Sequence, residues 1–217
     1  MPQRGALSDY YPMHSESHST IYAILLALLL PLATSARANL VPEGAFESGL
    51  GADGNPKGWT IDPIGWKNSP NLSVNLLSEL LPAEEGGRVN NFVRLGNTGE
   101  PDEEGVFRLS VVKPLPRPAP ARITVGWRVR AAVEATSRVH GWSSVQLTIR
   151  FLNAKGRELF EKREIFRLVR STQDRWLERE TIIDVPDGTT DIELLPGLYL
   201  VRGSVDLDDI TVRSATD

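Results

Sequence analysis

Residues 121–135 read ARITVGWRVRAAVEA, and this stretch decides the fold. Ile123, Val125, Trp127, Val129 and Ala131 fall on one side of an extended chain; Arg122, Thr124, Arg128 and Arg130 fall on the other. Side chains alternate between faces along a strand, so a period of two rich in β-branched residues specifies a strand with one buried side. The pattern repeats further along the chain. Val145, Leu147, Ile149 and Phe151 oppose Gln146, Thr148 and Arg150, while Phe107, Leu109 and Val111 oppose Arg108 and Ser110. Residues 91–95, 158–169, 175–185, 191–201 and 204–213 are further strand candidates.

Turn chemistry separates these runs. Asn153–Gly156 and Pro186–Gly188 have hairpin character, and Gly203 marks a third break. The run PLPRPAP at 114–120 cannot lie inside a sheet, because proline donates no ladder hydrogen bond, so it is an exposed crossing between strands. Leu76 to Leu81 reads as a short turn of helix. No segment longer than about ten residues has a helical period, and no internal repeat is visible. About ten strands with such turns specify an all-β, jelly-roll β-sandwich of two antiparallel sheets.

Composition narrows the function classes. The chain has 217 residues, 41% of them hydrophobic, enough for one domain with a substantial core. Its net charge is −4, with no dense basic run, which gives no footing for nucleic acid. With no cysteine, there are no disulfides, zinc–thiolate sites or iron–sulfur clusters.

The apolar run Ile21–Leu32 is about a dozen residues long, against roughly 20 needed to span a bilayer. The small-x-small pattern Ala36-Arg37-Ala38 follows it, as in a signal peptide cleaved after Ala38. Arg4 is the only Lys or Arg before the run, and a start at Met13 would give a more ordinary leader length. The expected organisation is a signal peptide over 1–38 and a β-sandwich over 39–217. The mature protein is then secreted, periplasmic or at the cell surface, with no stable membrane insertion.

Three segments, taken in order, carry a family resemblance. Residues 39–49 read NLVPEGAFESG, with Gly58-Trp59 shortly after; residues 123–131 read ITVGWRVRA; residues 205–212 close with VDLDDITV. Trp176 opens a strand, and Val185–Thr189 forms a turn. This order resembles the carbohydrate-binding modules of families 4, 9 and 22, which have a galactose-binding-like jelly roll. The resemblance covers nearly all of the chain from Asn39 on. It implies binding of β-glucan, xylan or a related polysaccharide, without catalysis. It also implies a structural calcium where the first and last strands meet, with Glu47, Asp208 and Asp209 at the matching positions.

Sugar recognition needs aromatic faces for the apolar side of a pyranose and polar groups for its hydroxyls. Trp59, Trp127 and Trp176 occupy core-type positions. Trp66, in a loop-like context, and Trp142, between strands, are the stacking candidates, and each would serve equally to cover a core edge. The outward row Arg128, Gln146 and Arg150 is either the polar lining of a sheet-face site or a solvated outer face.

Catalytic signatures are sparse. Only His140 follows the leader, so neither a Ser/His/Asp triad nor a multi-histidine metal centre is expected. Glu84-Glu85 and Glu103-Glu104 sit among turn residues as solvated charges. The expected function is a secreted, non-catalytic polysaccharide-binding module whose partner is a glycan. The alternative is an extracellular structural or adhesive sandwich without sugar binding.

Overall fold

The alternating runs pair into two five-stranded antiparallel sheets in the computed structural model, which describes residues 38–64, 70–99, 105–135 and 142–215. In chain order the strands are β1 Thr60–Ile64, β2 Leu72–Leu80, β3 Val89–Asn97, β4 Val106–Pro114 and β5 Arg122–Ala135, then β6 Ser144–Leu152, β7 Glu158–Leu168, β8 Leu177–Asp184, β9 Asp191–Tyr199 and β10 Val201–Ser214. The first sheet has the order β1-β4-β9-β6-β7 and the second β2-β3-β10-β5-β8. The described part of 38–217 belongs to one unit. All but the last residue of the 1–38 leader lies outside the described residues. Among the described residues, no helix is long and apolar enough to cross a membrane.

Period two sets the inner layer. Ile123, Val125, Trp127 and Val129 of β5 face Leu147, Ile149 and Phe151 of β6 across a buried cluster that also holds Phe107, Leu109, Leu194, Leu198, Val205 and Leu207. Burying one such side chain contributes about 1.5–3 kcal/mol. Trp127 stacks on Phe166 with ring centres 5.5 Å apart and planes 15° apart. Trp59 packs against Phe46 at 5.7 Å, and its indole N–H donates to the Glu43 carbonyl at 3.2 Å. Both tryptophans lie in the core, as expected.

Two elements differ from the expectation. Leu76–Leu81 is not a helical turn: residues up to Leu80 belong to β2, paired residue by residue with β3 from Leu72↔Asn97 to Leu80↔Val89. The leucine spacing suits a helix, but Leu72, Val74 and Leu76 all pack on the core from one side of a strand, and cross-strand pairing overrides local preference. Trp176 lies outside the core, against the outer face of the second sheet. The proline-rich run performs its expected crossing, carrying the chain from β4 in the first sheet to β5 in the second, with Leu115 buried as an anchor.

The two ends of the domain meet. Leu40 donates its backbone N–H to the Val212 carbonyl at 2.8 Å, and Val212 returns an N–H to the Asn39 side-chain oxygen at 2.9 Å. A 3-10 turn, Pro42–Ala45, follows. Its Gly44 lies so close to the Ile210 carbonyl that a Cβ there would collide with it. Within β10 the pairing to β5 slips by one residue: Asp208 pairs with Arg128 but Thr211 pairs with Gly126. Asp209 and Ile210 therefore both oppose Trp127, and Asp209 takes φ 46°. This β-bulge underlies the paired-aspartate motif.

Candidate functional site

The outer face of the first sheet carries the residues best suited to a ligand. Gln146, Thr148 and Arg150 of β6 stand side by side with Tyr199, Gly197, Leu195 and Glu193 of β9, which in turn adjoin Arg108 of β4. Trp142 leads into β6 at one end, with 45% of its surface exposed. Ile64 of β1, also half exposed, closes the opposite side. Apart from Gly197, Leu195 and Glu193, these residues line a cleft of about 200 Å³, which Val106 and Glu161 complete.

Hydrogen bonds fix its walls. The Gln146 amide donates to the Trp142 carbonyl, and the Ser144 hydroxyl reaches the same oxygen at 3.3 Å, so the indole is held where its chain enters β6. Arg108 is buried, donates through Nε to Asp62 at 2.8 Å, and sits 6.0 Å from the Tyr199 ring centre. The Tyr199 hydroxyl donates to the Leu195 carbonyl at 2.9 Å, which lays the phenol along the sheet. Burial raises its pKa, a change that the nearby Arg108 charge partly offsets. Gly197 lets β9 lie close against β4: a Cβ there would come within 2.5 Å of Arg108 Cα and Cβ.

Arg150 closes the far end. Its guanidinium contacts Glu158 at 3.3 Å, Glu161 at 3.1 Å and Glu193 at 3.2 Å. Burial lowers its pKa, but the Glu161 and Glu193 carboxylates outweigh that and the net shift is upward. The cleft thus offers a carboxylate acceptor on Glu161 and one half-exposed indole, with Asp62 and Glu193 holding its two guanidiniums from outside.

Of the sugar-contact residues expected from sequence, Trp142, Gln146 and Arg150 meet in this cleft. Trp66 lies outside the described residues. Arg128 does not join them: β5 belongs to the second sheet, and its outward side chains point away from the first sheet's outer face. Period two distinguishes inward from outward, but a sandwich has two outward faces. Arg108, Tyr199, Glu161 and Glu193 carry no local sequence signal of a site. Arg108 stood out as an outward arginine in an alternating strand, but its proximity to β6 depends on β9 pairing between them.

Arg128 instead joins a cluster on the second sheet's outer face. It lies 4.7 Å from the Trp176 ring, and Arg130 lies 4.5 Å from the same ring. Arg130 also reaches Asp206 at 2.8 Å and Glu79 at 3.1 Å; Arg94 completes a bidentate pair with Asp206 at 2.6 and 2.8 Å. Phe92 meets Trp176 edge-on at 5.4 Å. Beside this cluster lies a larger hollow of about 460 Å³, lined by Gly126, Arg179, Glu180, Thr211 and Arg213 among others. It presents no ring for stacking, since the Trp127 indole packs inward against Phe166.

Of the three positions matching a calcium site, Asp208 and Glu47 are otherwise engaged, and Asp209 is exposed beside Asp208. Asp208 is fully buried, accepts from the Asn90 amide at 2.8 Å and from its neighbour's backbone N–H at 2.7 Å, and has the Arg128 guanidinium at 3.5 Å. Glu47 accepts from the backbone and amide of Asn91 at 3.0 and 3.3 Å. A guanidinium on one carboxylate and amide donors on both are poorly suited to a hard cation that requires several free oxygens. Among the described residues, no three His, Cys, Asp or Glu side chains gather as a cation cage.

No protein-family description matches the chain, and no curated protein does. Solved structures do. Bacteriophage CBA120 tailspike protein 4, in its enzymatically active domain, superposes with a TM-score of 0.56 at 13% identity over 82% of this chain and 21% of that one. An apo form cyclase from Fischerella sp. has a TM-score of 0.50 at 10% identity over 84% of this chain and 100% of that one. The CBM22-1 xylan-binding domain of Paenibacillus barcinonensis Xyn10C has a TM-score of 0.45 at 13% identity over 80% and 94%. Binding modules and enzymes are both represented, and at these identities the shared property is the fold. The chain spans about a fifth of the tailspike chain it matches.

Proposed function

We propose that this protein is an extracellular, non-catalytic polysaccharide-binding module whose site is the cleft over β4, β9 and β6. The observation that carries this reading is the half-exposed Trp142 indole standing at the mouth of a cleft lined by polar side chains. An exposed ring provides the apolar platform that a pyranose face needs, and oriented acceptors select among its hydroxyls. The xylan-binding domain among the similar structures, like the sequence resemblance, suggests a plant-wall type of glycan as the first ligand to try.

The arrangement of charges favours binding over cleavage. A glycosidase sets two carboxylic groups about 5–9.5 Å apart, one of them ready to give a proton. Here Glu161 and Glu193 share one guanidinium, and Asp62 is taken by Arg108. A pull-down on insoluble xylan, cellulose and β-glucan, run beside Trp142→Ala, tests the reading. Retention of the native chain with at least a tenfold loss in the variant is expected, or about 1.4 kcal/mol. No retention on any polysaccharide would overturn the function. Unchanged retention of the variant would overturn the site.

A further inference from the structure

Resting on that reading, we infer that the cleft seats one pyranose residue, a chain end or single-residue branch, rather than an extended run of chain. Size is the first argument. The cleft holds about 200 Å³. Clefts for larger ligands run from roughly 300 to 1,000 Å³.

The closed ends are the second argument. Along β6 the cleft is bounded by Gln146 and Arg150, four residue steps apart, or about 13 Å between their Cα atoms, with Thr148 between them. At that end Arg150 is held from both sides by its cross-strand partners, Glu161 on β7 and Glu193 on β9, and by Glu158. A glycan chain continuing in that direction would have to break those ion pairs. In the other direction Trp142 stands across the end of the strand. Across the strands, the way out over β4 meets the buried Arg108–Asp62 pair and then Ile64 of the edge strand β1.

The third argument is the supply of rings. Extended binding sites need a stacking surface for each successive residue, because stacking contributes most where the hydroxyls stay in water. Among the described residues that line the cleft, Trp142 is exposed and Tyr199 is buried, leaving one platform.

The test uses the intact chain and a ladder of defined ligands. Methyl glycosides of xylose, glucose and galactose are titrated first, followed by xylo- and cello-oligosaccharides of two to six units, by calorimetry or NMR. Dissociation constants that fall by about threefold or less from two units to six, beside measurable binding of a methyl glycoside, are the expected result; each further contacted residue would otherwise bring a factor nearer ten. Affinity that climbs more than threefold over the ladder overturns the single-residue site while leaving polysaccharide binding intact. Absence of binding to every ligand and every polysaccharide overturns both.

Discussion

Trp176 donates its indole N–H to the Glu79 carboxylate at 2.6 Å, joining the entry to β8 and the end of β2, the two edge strands of the second sheet. Between them the side chains of β3, β5 and β10 form a continuous network: Phe92, Arg128 and Arg130 against the ring, with Asp206 and Arg94 beyond. This is a second packed layer outside the sandwich core. Stacked guanidiniums contribute about 0.5–2 kcal/mol each when partly desolvated. Trp176→Leu is therefore expected to lower stability by about 2–4 kcal/mol, combining ring, hydrogen bond and cation contacts. Urea unfolding measures this, and glycan affinity should stay unchanged because the cleft lies on the other sheet. A loss below about 0.5 kcal/mol, within the range of surface changes, would show the layer to be ornamental.

Gly44 is where the first turn touches the last strand. Gly44→Ala forces a Cβ into the Ile210 backbone carbonyl, which neither partner avoids without parting Asn39 and Leu40 from Val212. Gly86→Ala is the control: its φ of 91° is unfavourable for alanine, but nothing lies within 4 Å. The control should lose about 1–2 kcal/mol from backbone strain alone. The Gly44 variant should lose clearly more in thermal or urea denaturation. Equal losses would mean that the junction yields at little cost.

Asp208 should make stability depend on pH. Burial, opposed by the Asn90 hydrogen bond, holds its pKa at about 7, above the ordinary value near 3.8. The folded state thus holds a proton that the unfolded chain releases, and this favours folding. The contribution is complete below about pH 4 and disappears as pH rises through 7. Asp208→Asn keeps a neutral side chain at all pH values. Its stability relative to the native protein should therefore rise between pH 5 and pH 8. A difference that stays flat across that range would contradict the shift.

Calcium is expected to have no effect on stability. A cation bound only to the folded state raises the midpoint with concentration. Since Asp208 and Glu47 are already engaged by Asn90, Arg128 and Asn91, thermal midpoints in millimolar calcium and in chelator should coincide. A saturable rise with calcium would mean that these groups rearrange into a cage.

Charge should exclude acidic glycans. The two guanidiniums that line the cleft are already paired, Arg108 with Asp62 and Arg150 with Glu158, Glu161 and Glu193. A uronate ring would have to compete with those carboxylates for the two guanidiniums. Affinity gels should show weaker retention on polygalacturonate than on neutral glycans at low salt. Stronger retention that salt abolishes would reverse this conclusion.

Much of the architecture was legible in the chain because burial imposes a period of two. Trp127 and its neighbours on β5, and Phe151 and its neighbours on β6, could lie only one way. β2 was not legible: its leucines satisfy helical spacing, and only the pairing with β3 decides against it. The cleft was half legible. Trp142, Gln146 and Arg150 are close in sequence and share β6. Arg108 and Tyr199 reach them through a strand order that no local pattern encodes. Arg128 has the same outward periodicity as Gln146 and lies on the opposite face. Trp176 resembles a core tryptophan in sequence, since an indole between two arginines and one between two leucines leave the same local signature.

The crossed ion pairs around Arg150 have a thermodynamic consequence for capture. Long side chains that move freely before a ligand arrives must be immobilised afterwards, at about 0.5–1.5 kcal/mol each. Here Arg150, Glu161 and Glu193 already restrain one another, and Gln146 is tied to the Trp142 carbonyl. Rotational freedom would then be lost mainly by the incoming sugar and its glycosidic linkage, so weak contacts suffice for a measurable association.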